Sequence, residues 1–123
     1  MKDIPIHAPS QAEIHKLINY YQNRQYGDAE TLAISITEQF PDHQFSWKVL
    51  GAVLKQTGRI PESLVASQKS VKLAPQDAEA HKNLGVTLQE IGRLAEAEAS
   101  YRQAISVKPD YAEAHSNLGV TLK

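Results

Sequence analysis

Apolar residues recur at three- and four-residue intervals along most of the chain, as at Leu50 and Leu54 or Leu84 and Leu88. That spacing collects side chains on one face of an α-helix. No segment alternates apolar with polar residues in the manner of a half-buried strand. The helical pattern is interrupted near Asn23 to Gln25, at Pro41-Asp42, at Thr57-Gly58, from Pro75 to Asp77, at Ile91-Gly92 and at Pro109-Asp110. These breaks predict about seven helices of the length usual in helical repeats. Pro5 and Pro9 exclude a helix from the first residues, and Ser10-Gln11-Ala12-Glu13 reads as a capping box that starts the first helix near Gln11. Gly58 and Gly92 fall where the first helix of a pair has to end, because glycine takes the left-handed backbone conformation without a Cβ clash. Asp77 and Asp110 are expected to cap the helices that follow them, Asp110 together with Glu113.

The pattern repeats. Ala112-Glu-Ala-His-Ser-Asn-Leu-Gly-Val-Thr-Leu-Lys123 restates Ala78-Glu-Ala-His-Lys-Asn-Leu-Gly-Val-Thr-Leu-Gln89 one period later, differing only at Lys82/Ser116 and Gln89/Lys123. The same period relates Pro41, Pro75 and Pro109, relates Gly51, Gly85 and Gly119, and relates Gly58 to Gly92. A period of this size predicts units that bury their apolar faces only by stacking on one another. Function is then expected along an extended surface and not in a deep pocket.

Composition narrows the function classes. At 123 residues and 41% hydrophobic content, the chain can pack a stack of short helices but not a large globular core. Its 13 Lys and Arg against 14 Asp and Glu give a net charge of −1, without the basic stripe of a nucleic-acid binder. Cysteine is absent, which excludes disulfides and thiolate chemistry. The N-terminus has no secretory apolar region and no run is long enough to span a membrane, so a cytoplasmic location is expected. The sequence shows no nucleophile–base arrangement, phosphate loop or carboxylate pair, so neither catalysis nor a cofactor is expected. His7, His15, His43, His81 and His115 have no spacing that converges on a metal.

The third unit reads His81-x-x-Leu84-Gly85-x-x-Leu88, then Ala97-x-x-x-Tyr101, Ala104 and Pro109; the second begins Trp47-x-x-Leu50-Gly51-x-x-Leu54 and ends at Pro75. These positions resemble the tetratricopeptide repeat. The resemblance implies an all-α, right-handed superhelical solenoid of antiparallel helix pairs. Its units would be 10–43, 44–77, 78–111 and a truncated fourth, 112–123, after a flexible segment 1–9. Gly51, Gly85 and Gly119 would let paired helices approach, facing Ala97 and Ala104, with Trp47 and Tyr101 filling the space between pairs. The second unit departs from the pattern, with Ser63, Ser67 and Ser70 where the third has Ala97, Tyr101 and Ala104. Each serine is expected to return its hydroxyl to its own helix. The first unit keeps Tyr20, Ala29 and Pro41 but has Lys16-Leu17 for Leu-Gly, as expected of a terminal cap. The run from Phe45 to Leu54, followed by Asn83-Leu-Gly, also resembles the repeat region of bacterial proteins of the O-GlcNAc transferase type.

In that family the first helices of the pairs line a concave face. The resemblance thereby implies a peptide-binding groove of Ile14, Ile18, Tyr21, Lys48, Ala52, Lys55, Lys82, Asn83, Val86, Gln89, Asn117 and Val120, with Gln11, His15, Phe45, Val49, Glu79, Glu113, Ser116 and Lys123 at the remaining exposed positions of the same face. Relatives that clamp a peptide's terminal carboxylate need asparagine at the ninth position of a unit, where this chain has Ile18, Ala52, Val86 and Val120. Asn83 and Asn117 instead match the asparagines with which O-GlcNAc transferase repeats hold a peptide backbone, an amide offering both donor and acceptor. Lys48 and Lys82 are expected to favour an acidic ligand. The expected function is a protein–protein interaction module that binds a peptide or partner segment, with no nucleic acid, membrane or metal involved. The alternatives are the substrate-recognition arm of a longer glycosyltransferase-type enzyme and a self-assembling structural module. Lys123 falls partway through the fourth unit, before any second helix. That predicts a fragment of a longer protein, whose last helix exposes His115, Leu118 and Leu122 for self-association.

Overall fold

The computed structural model describes residues 8–123. They form seven helices, α1 (Gln11–Gln22), α2 (Tyr26–Gln39), α3 (Gln44–Gln56), α4 (Ile60–Leu73), α5 (Ala78–Glu90), α6 (Leu94–Val107) and α7 (Ala112–Thr121). Of the expected flexible segment 1–9, residues 1–7, His7 among them, lie outside the described residues, and Pro9 is buried.

Each predicted break is a turn, and each turn is closed by groups that the repeat supplies. α1 starts in the predicted capping box, with the Glu13 N–H donating to Ser10 Oγ at 3.1 Å and the Ser10 N–H to Glu13 Oε1 at 3.2 Å. Asp77 caps α5 by accepting the Ala80 N–H at 3.1 Å. Asp110 does not cap α7, whose N-cap is Tyr111 without a side-chain bond. The reason is register: Asp110 is the counterpart of Gln76 and not of Asp77, one position too early to reach the helix's free N–H groups.

Inside the pairs, Gly58 and Gly92 turn the chain at φ of 82° and 80°, and Arg24 does the same work at φ 60°. The following N–H then reaches back to the helix, Arg59 to the Leu54 carbonyl at 2.8 Å and Arg93 to the Leu88 carbonyl at 2.9 Å. Between the pairs, the Trp47 Nε1–H donates to the Pro41 carbonyl, and His81 and His115 Nε2 donate to the Pro75 and Pro109 carbonyls, each at 2.8 Å. The position expected to be a packing filler therefore also acts as a strap, and Trp47 still packs against the apolar residues of the first two pairs. Tryptophan and histidine share the ring N–H that the strap needs.

Consecutive helices pack on one another, most extensively α3 on α4 and α5 on α6. Successive first helices also touch, α3 with α5 and α5 with α7, whereas α2, α4 and α6 make no comparable contact among themselves. A stack whose first helices crowd together while its second helices splay is curved, with the first helices on the inner side. One apolar cluster fills the first two pairs around Leu17, Ile36, Leu50, Val53 and Leu54; another surrounds Leu88 and Tyr101, and Leu64 and Leu118 lean on it.

Candidate functional site

The crossing point of each helix pair has its own combination of sizes. Fully buried Leu17 and Ala33 occupy the register in the first pair, Gly51 and Ser67 in the second, and Gly85 and Tyr101 in the third. Tyr101 lies across Gly85 so closely that a Cβ there would stand 2.6 Å from its Cε1. Tyr101 thus packs within its own pair, not in the space between pairs where it was expected. Its hydroxyl donates to Gln89 Oε1 at 2.7 Å, and burial, with Glu90 nearby, pushes its pKa up to about 12. Gly119 has no neighbour within 4 Å of a built Cβ, so no close crossing occurs there.

The serines of α4 part company. Ser63 Oγ donates across the pair to the Gly51 carbonyl at 2.7 Å instead of to its own helix. Gly51 has no side chain to shield that carbonyl, whose second lone pair is open to a hydroxyl from the facing helix. Ser70 Oγ accepts from Gln44 Nε2 at 3.0 Å. Ser67 Oγ has no hydrogen-bond partner among the described residues, and a recess opens beside it.

Three recesses run along the inner face. The first, of about 340 Å³, is lined mainly by Ile18, Tyr21, Phe45, Val49 and Ala52, with Lys48, Glu79 and Asn83 at its edge. The second, of about 160 Å³, lies between α3, α4 and α5, among Gly51, Ala52, Lys55, Ser67, Asn83 and Val86. The third, of about 340 Å³, is bounded by Val86, Gln89, Glu90, Tyr101 and Asn117. Most of the projected groove residues line one of these recesses, but Ile14 and Val120 do not, nor do Gln11, His15, Glu113, Ser116 and Lys123 at the two ends of the face. Val49, projected as a groove residue, is only 8% exposed, because it belongs to the apolar cluster of the first two pairs. Gln22, Gln56, Ser67 and Thr87 line the face without having been singled out for it. For Ser67 the signal was available as the serine standing one period before Tyr101.

The charges along the face are largely tied up between units. Lys48 Nζ reaches Glu79 at 2.6 Å and Asp77 at 2.9 Å, and at the next unit Lys82 Nζ reaches Glu113 at 3.3 Å. Burial disfavours the Lys48 ammonium, but its bonds and charge interactions with Glu79 and Asp77 outweigh that and raise its pKa. Burial likewise opposes ionisation of Asp77, and the bonds from Lys48, the Ala80 N–H and Gln44 outweigh it, holding the carboxyl below its ordinary value. Neither lysine is a bare cation for an acidic ligand, as the sequence suggested. Lys55 forms no ion pair among the described residues.

Of the residues expected to self-associate, Leu118 leans on the cluster of Leu88 and Tyr101, the His115 ring is bound to Pro109, and Leu122 is 55% exposed. Among the described residues no group of His, Asp or Glu could hold a metal, and no helix is long and apolar enough to cross a membrane.

Residues 66–99 match a family model described as tetratricopeptide repeat, and residues 90–123 match one described as TPR repeat. No curated protein sequence matches the chain. Among solved structures it is similar to the first TPR of Spaghetti (RPAP3) bound to an HSP90 peptide, with a TM-score of 0.88 and 17% identity over 96% of each chain. It is similar to the Yersinia enterocolitica type III secretion chaperone SycD in complex with a peptide of YopD, with a TM-score of 0.82 and 18% identity over 92% of this chain and 95% of that one. It is also similar to a Thermobaculum terrenum O-GlcNAc transferase mutant, with a TM-score of 0.79 and 27% identity over 93% of this chain but only 23% of that one. Residues 66–123 thus carry tetratricopeptide repeat sequence, and the chain shares its stacking of helix pairs with these solved structures.

Proposed function

We propose that this chain binds an extended segment of a partner protein along the inner face of α1, α3, α5 and α7 and catalyses no reaction of its own. The observation that carries this reading is the pair Asn83 and Asn117. Both are half-buried on that face, one repeat apart, and neither side-chain amide has a hydrogen-bond partner among the described residues. Unpartnered amides at a regular interval suit the repeating N–H and C=O groups of an extended chain. Ile18, Ala52 and Val86 offer apolar contact beside them. The peptides named with the RPAP3 and SycD structures support this use of the fold. A cytoplasmic location fits the cysteine-free sequence.

Peptides selected from a display library with this chain as bait test the reading. Amide shift changes on binding should map to the first helices. Replacing both Asn83 and Asn117 with alanine should weaken binding about tenfold or more while leaving helicity intact. Strongest shifts around Arg102 and Lys108, on the outer side, would sink it.

A second reading is favoured by the transferase match: the chain serves as the substrate-recognition arm of a longer glycosyltransferase-type protein. Continuation of the reading frame into a transferase domain would establish it, and a frame without one would remove it. A third, self-association through α7, is favoured by Val120 and Leu122, which are 58% and 55% exposed. Light scattering should then show association that Leu122→Glu abolishes; a mass that stays monomeric with concentration would remove it.

A further inference from the structure

The second and third recesses occupy the same place in successive units. Ala52, Lys55, Gln56, Ser67 and Asn83 of one stand a full period before Val86, Gln89, Glu90, Tyr101 and Asn117 of the other. In the third unit the Tyr101 ring lies over Gly85. In the second, Ser67 reaches over Gly51 only as far as its Oγ, 2.8 Å from a built Cβ, and the remaining atoms of a tyrosine ring have no counterpart. What remains is the notch of about 160 Å³, open to the inner face and reaching down to Gly51, whereas the wider recess of the third unit stops at Tyr101 and does not reach Gly85. A cavity of roughly this size accommodates a benzene ring.

We infer that this notch receives a tyrosine side chain of the bound partner, which supplies from outside the ring that the second unit lacks. The ring enters from the groove and lies against Gly51, Ala52 and Val86, and its hydroxyl reaches the Ser67 hydroxyl at the inner end. Ser67 is 5% exposed overall, and its hydroxyl, which bonds no described residue, is reached by solvent only from the notch, so a phenol replaces the hydrogen bond of a solvent water where a plain phenyl ring removes it. Lys55 and Asn83 stand at the notch wall and can bond the carbonyl and amide of the incoming residue's backbone. Lys55 occupies the position of Gln89, which in the third unit accepts from the chain's own Tyr101. A lysine there can only donate, so it serves a partner's acceptor. The inference rests on the groove reading only for the identity of the molecule that carries the ring.

The test uses N-acetyl-tyrosinamide, N-acetyl-phenylalaninamide and N-acetyl-leucinamide, titrated into the labelled chain and followed by amide shifts. The tyrosine probe should saturate with a dissociation constant on the order of millimolar and move the Gly51, Ser67 and Asn83 amides most. It should bind about three- to tenfold more tightly than the phenylalanine probe, as one hydrogen bond predicts, and the leucine probe should bind weakest. Ser67→Ala should erase the preference for tyrosine over phenylalanine, and Ser67→Tyr should fill the notch and abolish binding of all three. If Ser67→Tyr loses its helical circular dichroism, the Ser67→Ala comparison decides. Shifts that spread over the surface without saturating, leucine binding as tightly as tyrosine, or a tyrosine preference that survives Ser67→Ala would overturn the inference. Peptides that bind the groove while the tyrosine probe does not would reject the notch alone. A tyrosine probe that binds where no selected peptide does would reject the groove alone.

Discussion

Alanine at Gly85 sets two opposed effects against each other. Helix propensity favours alanine over glycine in a helix interior by about 1 kcal/mol. Against this, the new Cβ would stand 2.6, 2.7 and 3.0 Å from Tyr101 Cε1, Cδ1 and Cζ, far inside ordinary contact. The ring has little room to retreat, because Tyr101 is fully buried and its hydroxyl is held by Gln89 at 2.7 Å. Relief comes from spreading α5 from α6 or from breaking that bond, at about 1–3 kcal/mol for overpacking and about 1 kcal/mol for the bond. The net expectation for Gly85→Ala is a loss of about 1–2 kcal/mol, read as a lower urea midpoint by circular dichroism with an unchanged slope. In a Tyr101→Ala background the three ring atoms that crowd the new Cβ are gone, and Gly85→Ala should stabilise. Gly119→Ala, with nothing within 4 Å, should be neutral or slightly stabilising in the wild type. If Gly85→Ala raised the midpoint in both backgrounds, the close crossing of α5 and α6 would be wrong.

Three further outcomes follow from the turns and straps. Arg24 sits at φ 60°, in the register of Gly58 and Gly92, so Arg24→Gly should stabilise by about 1 kcal/mol in urea melts, the cost of a left-handed non-glycine residue. Trp47→His should keep the strap to the Pro41 carbonyl, as His81 and His115 keep theirs, whereas Trp47→Phe should cost about 1 kcal/mol more than Trp47→His in the same melts. Asp77→Ala removes both the cap of α5 and a partner of Lys48 and should cost about 1–2 kcal/mol near neutral pH. Because folding holds the Asp77 carboxyl below its ordinary value, its contribution is complete above the unfolded-state value of about 4. It fades as pH falls through the folded value, so wild type and variant should converge in acid.

The helical spacing and the echo between successive units were enough to determine the all-α repeat fold and the helix breaks, because a unit that cannot bury its apolar side alone has to stack on its copy, whereas the first-helix face came only with the resemblance to the tetratricopeptide repeat. Local signals were equally legible where the partner lies within a few residues, as in the capping box of Ser10 and Glu13 and the left-handed turns at Gly58 and Gly92. The sequence read less well wherever a side chain could choose between a near and a distant partner. Ser63 bonds Gly51 across the pair, and Lys48 and Lys82 turn to Glu79 and Glu113, each on the first helix of the following unit. The notch belongs to the same class. Ser67 in place of an aromatic could be read from the repeat, but whether the vacated space collapses or stays open depends on how closely α3, α4 and α5 approach. That distance is set by packing among helices far apart in the chain, and it leaves about 160 Å³ facing the groove.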